Sequence, residues 1–320
     1  MNEAIRPGPE SPPQAAATPE LSVVVPTFNE RDNVTTLFHR LETALAGKAW
    51  EVIFVDDNSP DGTWDVVRGL ARQDSRVRCI RRIGRRGLSG ACIEGILACS
   101  APYAAVIDAD LQHDETQLPK MLGLLQGGEA DLVVGSRYIE GGSADSFDKQ
   151  RAGASQFATA VARRVLRVKI ADPMSGFFMI RRDRFEQLAP QLSTQGFKIL
   201  LDIVATARGE LRVKEIPYTF GSRLHGESKL DSMVALDFLG LVLAKLTHDV
   251  VSLRFLLFAM VGSIGLFVHF AALFVALEAF DLPFPNAQGA AALCAMTSNF
   301  ILNNFLTYRD QRLKLSLIHI

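Results

Sequence analysis

The sequence predicts an α/β domain built on a doubly wound sheet, followed by a transmembrane helical hairpin. Two observations carry this reading. Short, nearly continuous apolar runs alternate with stretches of helical periodicity through the first two thirds of the chain, the pattern of parallel strands buried on both faces. The last quarter then holds two long segments almost without charge. The mean hydropathy of +0.15 is high for a soluble domain, and these two segments account for the excess.

The first 20 residues carry Pro7, Pro9, Pro12, Pro13 and Pro19 among small and polar residues, with no apolar core, and read as a disordered leader over 1–20. Strands are then expected at Leu21–Val25, Val52–Val55, Val77–Ile80, Ala104–Ile107 and Leu132–Val134, with later ones near Phe177–Ile180 and Leu211–Tyr218. Val34, Leu37, Phe38, Leu41 and Leu45 give one helical face, and Leu118, Met121, Leu122 and Leu125 another. Further helices are expected near Gln156–Leu166 and Lys198–Ala207. An open sheet of this kind binds its ligand beyond the strand C-termini.

Phe255–Leu277 runs 23 residues with His269 as its only titratable side chain. As a helix it spans about 34 Å, enough for a hydrocarbon core of about 30 Å. Phe284–Tyr308 is a second uncharged stretch, joined to the first by a turn with Asp281, Pro283 and Pro285. Lys245 and Arg254 precede the pair and Arg309, Arg312 and Lys314 follow it, whereas the turn offers only Glu278 and Asp281. Positive charge on the outer flanks places both ends, and the domain before them, in the cytoplasm. The tail 315–320, Leu-Ser-Leu-Ile-His-Ile, reads as a non-native, adaptor-derived sequence that truncates the chain, with the start of a third span as the alternative.

The 34 Lys+Arg against 35 Asp+Glu exclude a polyanion-binding field as the main theme, so no nucleic-acid partner is expected. Cys79, Cys92, Cys99 and Cys294 form no metal-ligand spacing, which fits a reduced compartment. The chemistry concentrates instead at strand ends. Asp108-Ala109-Asp110-Leu111-Gln112 places two carboxylates and an amide oxygen at one C-terminal edge, hard donors suited to Mg2+ or Mn2+ with a diphosphate. Asp56 and Asp57 end the second strand, where carboxylates can accept from a base or ribose. Pro60-Asp61-Gly62-Thr63 beyond them is turn and cap chemistry. No Gly-rich fingerprint follows the first strand, which disfavours a nicotinamide enzyme. Arg137, Arg151 with Ser155, and Arg223 with Lys229 are spread as phosphate clamps rather than as one patch, while Arg81, Arg82, Arg85 and Arg86 read as a face toward anionic lipid.

In order along the chain, VVVPTFNE, VDDNSPDGT, DADLQH, VVGSRY, DPMSGF, FKILLD and a loop ending GESK resemble the family 2 glycosyltransferases of GT-A fold, and within them the polyprenol-phosphate (dolichol-phosphate) mannose synthases. The membrane portion, with Asn299, Asn303 and Asn304, resembles the start of a GtrA-like domain, truncated here. The resemblance implies a GT-A, Rossmann-like nucleotide-binding domain over 21–229, an interfacial amphipathic segment over 230–252 and the hairpin over 253–314. It also implies roles. Pro26, Phe28, Glu30, Val55 and Asp57 would hold the nucleotide, Asp108, Ala109 and Lys198 the donor. Asp110 and Gln112 would ligate Mg2+ or Mn2+, with Asp110, Arg223 and Lys229 acting in catalysis, and Arg137, Arg151 and Ser155 would receive the lipid phosphate. Phe28 stands where the family often has Tyr, which leaves donor choice open. The implied reaction is inverting transfer of a hexose, mannose from GDP-mannose first among them, to a polyprenyl phosphate at the cytoplasmic membrane face. A UDP-dependent glucose or aminosugar transferase remains an alternative, as does a non-catalytic membrane scaffold or lipid-linked sugar translocator.

Overall fold

The computed structural model describes residues 18–143, 169–193, 198–221 and 253–307. The chain divides into two units, Met1–Leu230 and Asp231–Ile320. In the first, seven strands form one sheet in the order β3-β2-β1-β4-β6-β5-β7. They are β1 Leu21–Thr27, β2 Trp50–Asp56, β3 Val77–Arg81, β4 Tyr103–Val106, β5 Leu132–Ser136, β6 Phe178–Arg181 and β7 Val213–Pro217. Helices α1 Arg31–Ala44, α2 Thr63–Gln73, α3 Leu88–Leu97 and α4 Leu118–Gln126 make the crossovers of the N-terminal half; α5 Arg182–Leu188 and α6 Ile199–Ala207 follow β6.

β1, β2 and β5 are buried along their whole lengths, as their largely apolar runs require. The core beneath α1 and α4 joins Val23, Val25 and Phe54 to Leu37, Leu41, Met121 and Leu125. On the other face α3 lies so close to the sheet that a Cβ on Gly95 would come within 2.3 Å of Val24 and 3.0 Å of Val55. The sheet departs from the expected parallel arrangement at one place: β6 runs antiparallel to both β4 and β5. This short strand splices a parallel half, β3-β2-β1-β4, to the parallel pair β5-β7.

At the rim where β1, β2 and β4 end, three residues other than glycine adopt left-handed backbone: Asn29, Asn58 and Leu111, with φ of 58°, 55° and 63°. Asn tolerates that region, whereas for Leu it costs about 1–2 kcal/mol. The chain turns sharply after each strand, which brings the following side chains back over the sheet edge.

In the second unit, α7 (Leu253–Glu278) and α8 (Phe284–Leu302) pack against each other, and a π-helical turn Asn303–Thr307 ends the second helix. These are the two apolar segments read from the sequence. Among the described residues only α7, over Leu257–Glu278, is long and apolar enough to cross a membrane by length and composition; the described part of α8, with its run of alanines and small polar residues, does not reach that mark. Both helices expose large apolar side chains, among them Phe258, Phe267, Phe274, Met296 and Phe300. Gly265 provides a notch in α7 that Asn299 fills, its amide atoms lying 2.1 to 2.6 Å from where a Cβ would stand. Residues 1–17 of the leader, the helix near Gln156–Leu166, the segment 230–252, the flanking Arg309, Arg312 and Lys314, and the tail lie outside the described residues, whereas Glu20 at the leader's end is tied to Ala49, its amide donating to the Ala49 carbonyl at 2.8 Å.

Candidate active site

The acidic turn after β4 is the centre of the rim. Asp110 is nearly buried, and its Oδ1 accepts from the Gln112 amide at 3.2 Å. Gln112 is bound at both ends to one residue: its Nε2 donates to Gly221 O at 3.0 Å, and Gly221 N donates to Gln112 O at 2.8 Å. With the amide nitrogen so engaged, Oε1 is the end presented for other work. Asp110 carboxylate and Gln112 Oε1 are hard oxygen donors and fit Mg2+ or Mn2+, which commonly takes one or two protein ligands and fills its shell with water and phosphate oxygens. Among the described residues no group of three His, Cys, Asp or Glu side chains could hold a metal by itself.

Asp108 begins the same turn and is half-buried. Its Oδ2 lies 3.1 Å from His113 Nε2, and a Cβ on Gly176 would stand 2.5 Å from that oxygen. Burial works against its ionisation, but the His113 hydrogen bond and the charges of Lys198 and Arg137 outweigh it and hold the carboxyl below its usual range. Ala109 is buried between the two acids. Gly176→Ala should therefore push the Asp108 carboxylate aside while leaving the core untouched. The expected result is a turnover lowered roughly tenfold with little change in unfolding midpoint, read by steady-state kinetics and thermal unfolding.

The loop Asp172–Phe177 gathers the cations around this carboxylate. Arg137, buried after β5, makes a bidentate pair with Asp172, Nε to Oδ2 at 2.7 Å and Nη2 to Oδ1 at 2.8 Å. Glu215 on β7 fixes Asp172 in turn, accepting from the Ala171 and Asp172 amides at 2.7 and 3.1 Å. Arg137 is thus a paired guanidinium, with part of its fork engaged by Asp172. Lys198 Nζ donates to Met174 O at 3.4 Å. Burial, with Arg137 nearby, lowers its pKa, and Asp108 and Asp172 pull the other way.

The second acidic turn has two separate jobs. Asp56 is fully buried and structural, accepting from Thr27 Oγ1, Ser59 N and Ser59 Oγ at 3.1, 2.9 and 2.5 Å. Asp57 accepts from Arg82 Nη1 at 2.6 Å and from Gly87 N at 2.7 Å. Its pKa is raised by burial, against the pull of Gly87 and Arg82. Arg82 is itself only 4% exposed and also bonds Glu94 Oε1 and Gly87 O. Of the basic run, Arg82 turns inward, whereas Arg81, Arg85 and Arg86 are exposed. Arg81 lies 3.7 Å over the Trp64 ring and donates to Asn58 Oδ1, Arg85 pairs with Glu94, and Arg86 covers Phe28 at 4.7 Å. Each finds a partner around the β2 edge.

Pro26 is buried at the end of β1 and Phe28 half-buried just beyond it. Glu30 accepts from Asn33 Nδ2, and its amide donates to Thr63 Oγ1. Val55 is wholly buried beneath α3, under the rim. Arg151, Ser155, Arg223 and Lys229 lie outside the described residues. Sequence reasoning missed Arg82 and His113. The second stood in plain sight as the last letter of DADLQH.

A sheet rim that carries an Asp-x-Asp-x-Gln turn beside the Asp57 carboxylate, on a mixed sheet with one antiparallel splice, defines a glycosyltransferase of GT-A architecture. The glycosyl transferase family 2 profile matches residues 22–189, and a GtrA/DPMS transmembrane domain matches 257–318. A Pyrococcus furiosus protein named dolichol-phosphate mannosyltransferase is 36% identical over 297 residues, 92% of this chain and 82% of its own. The Saccharomyces cerevisiae protein of the same name is 37% identical over 69% of this chain and 84% of its own. Among solved structures, glucosyl-3-phosphoglycerate synthase from Mycobacterium tuberculosis, in complex with Mn2+, UDP and its product, superposes with a TM-score of 0.54 at 20% identity, over 76% of this chain and 86% of that one. The chain belongs to glycosyltransferase family 2 and is an enzyme of that family, joined to a GtrA/DPMS membrane domain.

Proposed function

We propose that the enzyme transfers mannose from GDP-mannose to a polyprenyl phosphate, with inversion, at the cytoplasmic membrane face. The observation that carries this reading is one chain holding both the acidic rim and a GtrA/DPMS membrane domain, in the order of relatives named for dolichol-phosphate mannosyl transfer. The acceptor is a phosphate monoester, anionic near neutral pH, and attacks the anomeric carbon without a general base. The site's task is then to bring two anions together and to neutralise the departing nucleoside diphosphate. A divalent ion held by Asp110 and Gln112 would supply part of that charge. Arg223 and Lys229 would grip the donor diphosphate, and Lys198 the donor close to Asp108. Arg137, Arg151 and Ser155 would meet the lipid phosphate. Asp57, whose Oδ1 and Oδ2 each already accept one hydrogen bond, from Arg82 and from Gly87 N, would offer its remaining lone pairs to donors of the base.

Membranes bearing the full chain, given polyprenyl phosphate, Mg2+ and radiolabelled GDP-mannose or UDP-glucose in parallel, test this. Organic-phase label from GDP-mannose is expected. Label from UDP-glucose alone overturns the donor, and label from neither overturns the reaction. The topology has its own test. In a chain with Cys294→Ser, Asp281→Cys should react with an impermeant maleimide from the non-cytoplasmic side of intact cells. Labelling only after the cytoplasmic side is opened would reverse the orientation.

A further inference from the structure

His113 is buried in a cage of three rings. Phe177 stacks on it at 5.5 Å and 27°, Phe220 meets it edge-on at 5.5 Å and 73°, and Tyr218 lies tilted at 5.7 Å. Its two ring nitrogens point to different partners: Nδ1 is 3.0 Å from Tyr218 Oη and Nε2 is 3.1 Å from Asp108 Oδ2. A carboxylate only accepts, so Nε2 must carry a proton; Nδ1 is then free to accept from the Tyr218 hydroxyl. Burial holds Tyr218 well above the usual phenol range, which keeps that hydroxyl proton in place. The side chain of Asp108 is 35% exposed and that of His113 3%, so the carboxylate is anchored from the buried side and open toward the rim. Gly176 leaves the carboxylate its space.

We propose that His113 is a positioning residue, donating from Nε2 to hold Asp108 toward the nucleotide sugar, and that Tyr218 sets the tautomer that lets it do so. The inference rests on the reading of Asp108 as a donor contact. A histidine kept only for packing would be replaced by Leu with no kinetic signature, and Asn and Gln in its place would behave alike. A donating one distinguishes them: Gln sets its amide nitrogen close to the place of Nε2 and reaches Asp108, whereas Asn is one carbon too short and reaches only Tyr218.

The test uses the full chain in detergent with polyprenyl phosphate, comparing wild type with H113Q, H113N, H113L and Y218F. Turnover, both KM values, GDP-mannose and UDP-glucose binding by calorimetry without acceptor, and thermal unfolding are measured on each. H113N and H113L are expected to lose roughly ten- to hundredfold in kcat/KM for the donor, H113Q to stay within about threefold of wild type, and Y218F to fall between. KM for polyprenyl phosphate should not move in any of them. Should H113L fail to fold, the H113Q and H113N pair decides. Equal loss in those two, or wild-type kinetics in both, overturns the inference while the function stands. A wild-type chain that binds neither nucleotide sugar overturns the functional reading and takes the inference with it.

Discussion

Asp110→Asn should lower divalent-dependent transfer by about a hundredfold or more at saturating donor while leaving the fold intact. The substitution keeps volume and the oxygen that accepts from the Gln112 amide, so the turn closes as before. It removes the charge that a hard divalent cation seeks, and a cation that neutralises a leaving diphosphate contributes several kcal/mol to the transition state, where each 1.36 kcal/mol is tenfold in rate. Transfer titrated with Mg2+ and Mn2+, alongside Mn2+ binding followed by electron paramagnetic resonance, checks both halves. Wild-type turnover by the variant would remove Asp110 from the metal site.

Arg82→Met should destabilise the catalytic domain by about 3–5 kcal/mol. Arg82 and Asp57 are both buried, and the pair is held at 2.6 Å. Removing the guanidinium strands a carboxylate whose ionisation burial already opposes. Adding Asp57→Asn to Arg82→Met should recover much of that loss, because the uncompensated charge is gone, although the double variant would give up the acceptor proposed for the base. Urea unfolding of wild type, both single variants and the double variant forms a complete cycle. A single Arg82→Met variant as stable as wild type would show that the pair contributes nothing.

The strands were legible because burial on both faces leaves few polar positions to interrupt an apolar run; Leu21–Val25, broken by Ser22 alone, and Val52–Val55 fall inside β1 and β2. The acidic turn was legible because carboxylates clustered just past such a run have no packing reason to be there. Strand direction was not. Phe178–Arg181 reads the same whether it joins its neighbours parallel or antiparallel, since direction is set by its partners rather than its residues. The partners of single polar residues were hidden for a related reason. His113 meets Tyr218 105 positions later, and Arg82 meets Asp57 25 positions earlier, so nothing local told a caged histidine or an inward arginine from a surface one. Periodicity likewise gave α7 and α8 as equals, although among the described residues the small and polar side chains of α8 leave only α7 apolar enough to span alone.

The antiparallel splice also bears on how the chain is made. Everything that β1 needs for its two neighbours has left the ribosome once β4 is complete, so the parallel half of the sheet can assemble during synthesis. β5 follows soon after, but it pairs only with β6 and β7, and both are translated well after it. Through that interval β4 presents an unpaired edge and β5 remains an apolar segment without a partner. Such edges recruit other chains. The four residues Phe178–Arg181 close both at once, so slowed translation just before them would lengthen the period in which the nascent enzyme is most prone to aggregate, and faster passage would shorten it.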